Sequence, residues 1–360
     1  MRLVRGVRSG ALLVAFGLVV AACGGDGGGG TSTDTSGPTV EAKKVGVVYD
    51  ISGRGDKSFN DSAFAGLEAA KQEQGDKIAA KDIEPNQDGS NRKELLDSLA
   101  DEGYGLIFGV GFLFSEDIAK SATESPDTSF AVIDGFADSC TQPDSNLLCI
   151  GFKEQEGSFL VGAAAALKTK SNTVGFVGGL EGDLIKKFQA GYEAGVKYIA
   201  DRDGKTIKVL VDYAGNTPEA FRNPAKGKEL ALKQIGNGAD VIYHASGGTG
   251  AGVIAAATEK KKYVIGVDSD QSLTASPEEQ KWILTSMLKR VDNAVQQNID
   301  SYVASGSLKG GIQTLGLKEG GIDYAKNEFN TELLGDIPTT LDELKQKIIS
   351  GEITVPSKPS

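Results

Sequence analysis

The sequence predicts an α/β protein of two doubly wound lobes, each a parallel sheet covered by helices on both faces, joined by a hinge. Three observations predict it. From Lys44 onward, short β-branched runs alternate with longer amphipathic stretches, the pattern of parallel strands linked by crossover helices. Two of the runs, Lys44-Val45-Gly46-Val47-Val48 and Thr173-Val174-Gly175-Phe176-Val177, read alike and would each open a lobe. The chain is also long enough for two cores, with 360 residues of which 39% are hydrophobic, because a single core stops growing near about 250–300 residues.

The first segment is expected to be removed. Residues 1–22 carry Arg2, Arg5 and Arg8, then an apolar run from Ala11 to Val20, then Ala21-Ala22 ahead of Cys23. That is the layout of a signal peptide, and its apolar run falls short of the roughly 20 residues that span a bilayer. Residues 23–42 should form a flexible tether, since Gly24 to Pro38 is almost all Gly, Ser, Thr and Asp and such a composition buries no apolar surface.

Loss of the three arginines takes the net charge from −11 to −14. An acidic surface of that size argues against nucleic-acid binding, which needs basic patches to neutralise phosphates. Cys140 and Cys149 flank a polar stretch, and in an oxidising compartment they are expected to pair. No metal is expected, because the only histidine, His244, is far away in sequence and the spacing fits no zinc pattern.

The expected strands are Val45–Tyr49, Leu106–Val110, Phe130–Ile133, Thr173–Val177, Ile207–Tyr213, Val241–Tyr243 and Tyr263–Val267. Between the first two, Ser58–Gln74 reads as a helix opened by a Ser58/Asp61 capping box. Residues 43–152 with 266–295 are assigned to the first lobe, and 153–265 with 296–350 to the second. Nearly every run ends in Gly or Asp: Asp50, Gly109 with Gly111, Asp134 with Gly135, Gly178 with Gly179, Gly247 with Gly248, and Asp268. Ligands of open parallel sheets bind beyond the carboxyl ends of the strands, so the site is expected at these positions.

Individual motifs read more than one way. In Asp56-Lys57-Ser58-Phe59-Asn60 a polar residue caps the helix, while Phe59 is either core or a stacking platform. Ser246-Gly247-Gly248-Thr249-Gly250-Ala251-Gly252 leads from a strand into a helix, and Gly250, Gly252 and Ala255 meet the loose dinucleotide fingerprint with Asp268 near the ribose-binding distance. That pattern alone would suggest an oxidoreductase. No Gly-x-Ser-x-Gly elbow and no His-Glu-x-x-His is present, and His244 at a strand end fits a wall residue better than a member of a catalytic triad. No catalytic residue and no cofactor is assigned.

Taken together, Asp56-Lys57-Ser58-Phe59-Asn60, Gly109-Val110-Gly111-Phe112, Ile133-Asp134-Gly135, Phe152-Lys153-Glu154-Gln155-Glu156-Gly157, Ala239-Asp240-Val241-Ile242-Tyr243, Gly247-Gly248-Thr249-Gly250, Gly266-Val267-Asp268-Ser269-Asp270-Gln271 and Thr285-Ser286-Met287-Leu288-Lys289 resemble the basic membrane protein family of substrate-binding lipoproteins. Purine-nucleoside receptors of ABC transporters belong to it. The resemblance runs in order from about Lys44 to Asn293. It implies a type I periplasmic-binding-protein fold, two lobes joined by three crossovers, with the base held between the rings of Phe59 and Tyr243. It also implies Asp134 at the base edge, Asn60, Gly248, Asp268 and Lys289 around the ribose, and Asp50 nearby.

Val20-Ala21-Ala22-Cys23 resembles a lipobox, which implies a lipidated Cys23 anchored on the extracytoplasmic face of the cell membrane; the family resemblance implies an ABC transporter permease as partner, and the protein is expected to be a monomer. The alternative is an ordinary signal peptide with a chance cysteine. One departure from the family is Arg54-Gly55 ahead of Asp56, where an acidic pair is common, and it bears on ligand preference at that edge. A sensor that signals to a membrane partner without transport has the same sequence features.

Overall fold

The computed structural model describes residues 41–359; the expected signal segment, Cys23 and the tether up to Val40 lie outside them. The chain first builds β1 (Lys43–Val48), α1 (Phe59–Gln74), β2 (Ile78–Ile83), α2 (Arg92–Asp101), β3 (Leu106–Val110), α3 (Ser115–Glu124), β4 (Ser129–Ile133) and β5 (Leu147–Phe152). It continues through α4 (Glu154–Lys168), β6 (Thr173–Leu180), α5 (Asp183–Asp203), β7 (Lys208–Gly215), α6 (Pro224–Gly236), β8 (Val241–Ala245), α7 (Gly250–Lys260), β9 (Tyr263–Asp268), α8 (Pro277–Gln280) and β10 (Ile283–Lys289). Then come α9 (Val291–Ser305), β11 (Gly311–Leu315), β12 (Ile322–Tyr324), α10 (Thr331–Leu334) and α11 (Ile337–Ile349).

The strands form two six-stranded sheets of the same order, β11-β5-β4-β3-β1-β2 and β12-β10-β9-β8-β6-β7. All pairs are parallel except β10 with β12. The two like-reading runs, in β1 and β6, occupy the same place in each sheet, and Val45, Val47, Val174 and Phe176 are fully buried there. Such continuous apolar burial is what a strand covered on both faces requires.

The chain passes between the sheets three times: from β5 to α4 at Lys153, from β10 to α9 at Arg290, and from β11 to β12. The passages are tied together, because Lys153 N donates to Leu315 O and Arg290 N donates to Gly321 O. This corrects the lobe boundaries expected from sequence. β10 and the second half of β9, assigned to the first lobe through 266–295, belong to the second sheet, where β9 pairs with β8 and β10, and β11, assigned to the second lobe, completes the first sheet. The sequence pattern carries no signal of which of two parallel sheets a buried strand joins, since either would cover the same apolar faces.

Close helix contact sets the layers. A Cβ on Gly66 of α1 would stand 2.3 Å from the Asp292 carbonyl oxygen of α9, and one on Gly195 of α5 2.0 Å from the Phe159 carbonyl oxygen of α4. Both helix pairs therefore meet backbone to backbone. Cys140 and Cys149 form a disulfide with Cα atoms 6.0 Å apart, pinning the turn between β4 and β5 as the sequence predicts.

The Ser58/Asp61 capping box is not formed: Ser58 gives α1 no side-chain cap. Asp56 takes that role, its carboxylate accepting the N–H groups of Ser58, Asn60 and Asp61 at 3.0, 2.9 and 3.1 Å. Three accepted bonds satisfy donors that a helix start leaves open, and they free the Ser58 hydroxyl for another partner.

Candidate functional site

The carboxyl ends of the two sheets meet around a cleft with about 530 Å³ of empty space, open solvent included. The first lobe contributes Asp50, Ser52, Asp56 and Phe59 after β1, Gly111 and Phe112 after β3, and Asp134 after β4. The second contributes Leu184, Ile185 and Phe188 from α5, Phe221, Ala245–Gly247 after β8, Val267 and Asp268 of β9, and Lys289 of β10. Phe112 and Phe221 touch edge to face across the lobes, with ring centroids 6.5 Å apart.

Lys289 sits at the floor with only 2% of its side chain exposed. Its Nζ lies 2.5 Å from Asp134 Oδ2 and 3.1 Å from Glu154 Oε1, and 5.2, 5.0 and 5.5 Å from the ring centroids of Phe59, Phe152 and Phe188. Burial pulls the ammonium towards neutrality, yet the carboxylates of Asp134, Glu154 and Asp268 outweigh it and hold its pKa above the usual lysine value. Glu154, fully buried, also accepts from Lys187 at 3.2 Å. Lysine and carboxylates thus satisfy one another, as buried charges must.

Two oxygens of the cluster make no hydrogen bond, Asp134 Oδ1 and Glu154 Oε1, and only the second has an ion-pair partner, Lys289. Asp134 Oδ1 is buried and makes no hydrogen bond, on a residue that lines the cleft. A buried acceptor without a partner costs about 1–3 kcal/mol, so this atom calls for a donor from a ligand.

Asp268 bridges the lobes: Ser58 Oγ donates to its Oδ2 at 2.5 Å. Burial raises its pKa to about 7 against the opposing effect of Lys289 and Ser58. Burial likewise raises Asp50 and Asp56 to about 6 each, although backbone N–H groups oppose it. The wall around Asp50 leaves no room for a side chain at Gly111, where φ is 111° and a Cβ would stand 2.4 Å from Asp50 Oδ2.

Of the residues expected to touch ligand, Asp50, Phe59, Asp134, Asp268 and Lys289 line the cleft. Phe59 is at the wall and also packs against the hydrophobic core, so it takes part in both of its readings. Asn60 stands behind the wall, fully buried: its Oδ1 accepts the Asp50 N–H and its Nδ2 donates to Ser52 Oγ, both at 3.0 Å. Gly248 adjoins the lining residue Gly247 and faces Asp56.

Tyr243 is a correction. It is fully buried in the second lobe, packed against Phe176 and Tyr192 with its hydroxyl 3.1 Å from Ser158 Oγ, because a mid-strand side chain on that face points into the core. The second-lobe aromatics at the cleft are Phe188 and Phe221, one within a helix and one in the Pro218–Phe221 turn. Neither carries a sequence signal of its own, and with Phe112 they are the cleft aromatics that sequence reasoning missed.

The glycine fingerprint has a packing cause. A Cβ on Gly250 would meet the His244 ring at 2.0 Å and one on Gly252 the Pro224 carbonyl oxygen at 1.8 Å. His244 is no wall residue: it is fully buried, and burial lowers its pKa to about 4. Arg54, at the departure from the family pattern, is not among the lining residues, and its side chain pairs with Asp61 at 3.0 Å.

A family model described as "ABC transporter substrate-binding protein PnrA-like", Bmp, matches residues 42–359. The CD4+ T-cell-stimulating antigen of Listeria monocytogenes is 34% identical, with 97% of each chain covered. The ABC transporter nucleoside-binding protein BmpA of Lactococcus lactis is 33% identical over 91% of this chain and 93% of its own. Among solved structures, a solute-binding protein of an ABC transporter system from Aeropyrum pernix K1 has a TM-score of 0.76 and 31% identity, covering 88% of this chain and 94% of that one.

Proposed function

The chain belongs to the Bmp family of PnrA-like ABC transporter substrate-binding proteins, and from that membership we propose that it captures an uncharged purine nucleoside by closing its lobes and delivers it to a membrane permease. The observation that carries this reading is the unpaired, buried Asp134 Oδ1. It accepts an N–H of the base edge, which an apolar or purely anionic ligand could not offer. Phe59 and Phe221, half-buried on opposite lobes, present faces on which a flat ring stacks. Asp268 accepts from ribose hydroxyls. The printed name of the Lactococcus lactis relative, a nucleoside-binding protein, supports the same class.

The test is a thermal-shift screen of nucleosides, free bases, sugars and NAD, because ligands of the native state raise its melting temperature. Purine nucleosides are expected to give the largest shift. A shift with a sugar or NAD and none with nucleosides overturns the reading.

We further propose that the mature protein begins at a lipidated Cys23, is held by its tether at the extracytoplasmic face of the cell membrane, and acts there as a monomer. Intact-mass analysis of membrane-extracted protein is expected to show acyl chains on residue 23; an unmodified N-terminus elsewhere refutes it. Closure is checked by small-angle scattering, where saturating ligand should reduce the radius of gyration.

A further inference from the structure

Beside the cleft, the lobes are joined by contacts that no cleft-lining side chain makes. From the first lobe, Lys57 O accepts from Gln271 Nε2 at 3.1 Å, Lys57 Nζ donates to Thr274 O at 3.0 Å, and Ser58 O accepts from Ser269 Oγ at 3.1 Å. Lys57 holds this position with a left-handed φ of 52°, unusual for a residue with a side chain.

The Gln271 amide is fixed in direction. Its Oε1 accepts the Val267 N–H at 3.0 Å and lies 2.9 Å from His244 Nε2, and the residue is only 3% exposed. A flipped amide would set its NH₂ against the Val267 N–H, donor against donor. The oxygen therefore stays inward and the NH₂ points at the other lobe. His244, kept neutral by burial, gives its Nε2 proton to that oxygen while Nδ1 faces Ser246 Oγ at 3.4 Å.

We propose that Gln271, oriented by His244, and Ser269 form an interlobe latch that favours the closed arrangement and slows ligand escape without touching the ligand. The inference rests on the reading of the cleft as one that opens and closes. It assigns a role to the only histidine and to Gly250, whose missing side chain leaves the imidazole its space. Affinity is then set partly by residues outside the cleft, since anything that stabilises only the closed state shifts the population towards it.

Two variants separate the latch from the fold. Gln271→Glu keeps an acceptor for Val267 and His244 and replaces the donor to Lys57 O with a carboxylate oxygen that this carbonyl repels, at the cost of a buried charge; Ser269→Ala deletes a half-buried hydroxyl with no change of charge. Spin labels at Asp101→Cys and Lys260→Cys, exposed and on different lobes, report interlobe distance, and stopped flow reports adenosine exchange. Each variant is expected to widen the distance distribution and raise koff about fivefold, with kon changed by less than about twofold.

The distance measurement also runs without ligand, where both variants should still lengthen the mean separation. Failure of adenosine to bind therefore counts against the nucleoside reading alone. Should Gln271→Glu fail to fold, Ser269→Ala decides. Wild-type distances and koff in the folded variants overturn the latch.

Discussion

Asp134 and Asp268 close equivalent strands of the two lobes. β4 and β9 hold the same place in their sheets, and each aspartate takes a left-handed φ, 63° and 65°. Both line the cleft. A non-glycine residue in that region carries strain of about 1–3 kcal/mol, of the kind found at ligand clamps, and here it turns each carboxylate from its strand end towards the space between the lobes.

Asp268→Ala is expected to weaken adenosine binding at least about tenfold, since a hydrogen bond to a charged group contributes roughly 1.5–3 kcal/mol. Isothermal calorimetry measures it. Unchanged affinity would take Asp268 out of the site.

The cleft aromatics and the core tyrosine should separate cleanly. Phe221→Ala should cost about tenfold or more in adenosine affinity through lost stacking. Tyr243→Phe removes a buried hydroxyl bonded to Ser158 and should lower stability by about 1 kcal/mol while leaving affinity as it was. Chemical denaturation and calorimetry on the same two proteins decide, and a Tyr243→Phe protein that binds poorly contradicts the placement of that ring in the core.

Stability should fall as the pH rises towards neutrality. Asp50 and Asp56 titrate at about 6 and Asp268 at about 7 in the folded protein, above the value of about 4 for an unfolded aspartate. These three groups thus hold protons in the folded state that the unfolded chain has lost, and together they outweigh His244, whose lowered value of about 4 works the other way between about pH 4 and 6.5. Their contribution is fully present below about pH 4 and is lost as the pH rises through 6 to 7. Scanning calorimetry of ligand-free protein should give a higher Tm at pH 5.5 than at pH 7.5, and Asp268→Asn should reduce the difference; a Tm that is flat or rises over this interval disagrees.

Adenosine monophosphate should bind far more weakly than adenosine. A phosphate would enter a poorly solvated cleft lined by Asp50, Asp56, Asp134 and Asp268, where repulsion is much stronger than in water. The one cation of the lining, Lys289, is already engaged by Asp134 and Glu154. The turn at Gly247–Thr249 leads into α7, a place where phosphates do bind, so the comparison is a fair contest. Titrations at one ionic strength settle it, and equal affinities would reverse this reading.

Much of the fold was legible because its central strands are buried on both faces and so spell out continuous β-branched runs. β2, β5, β10, β11 and β12 escaped notice: β2 reads Ile78-Ala79-Ala80-Lys81-Asp82-Ile83 and alternates exposure at the sheet edge, β11 and β12 are edge strands too, and edge strands carry weaker patterns, whereas β5 and β10 lie inside their sheets and each runs almost directly into a helix, with no turn residues to mark its end. In the site, residues at strand ends were found from their position after each run. Phe188 and Phe221 were not, because a phenylalanine in an amphipathic helix or a turn looks the same whether it faces a core or a cleft. Tyr243 failed for the same reason in reverse, as strand periodicity does not tell which face meets the ligand.

The three passages between lobes also govern when the protein can fold. The first sheet lacks its edge strand until Leu315 has been made, and α1 lacks its backbone partner α9 until Ser305 has. Domains of many chains fold in turn, the N-terminal one first. Here the N-terminal lobe is completed only by residues that follow most of the other lobe, so a chain ending at residue 250 has neither sheet complete. Neither lobe is therefore a continuous segment that could be cut out for expression by itself.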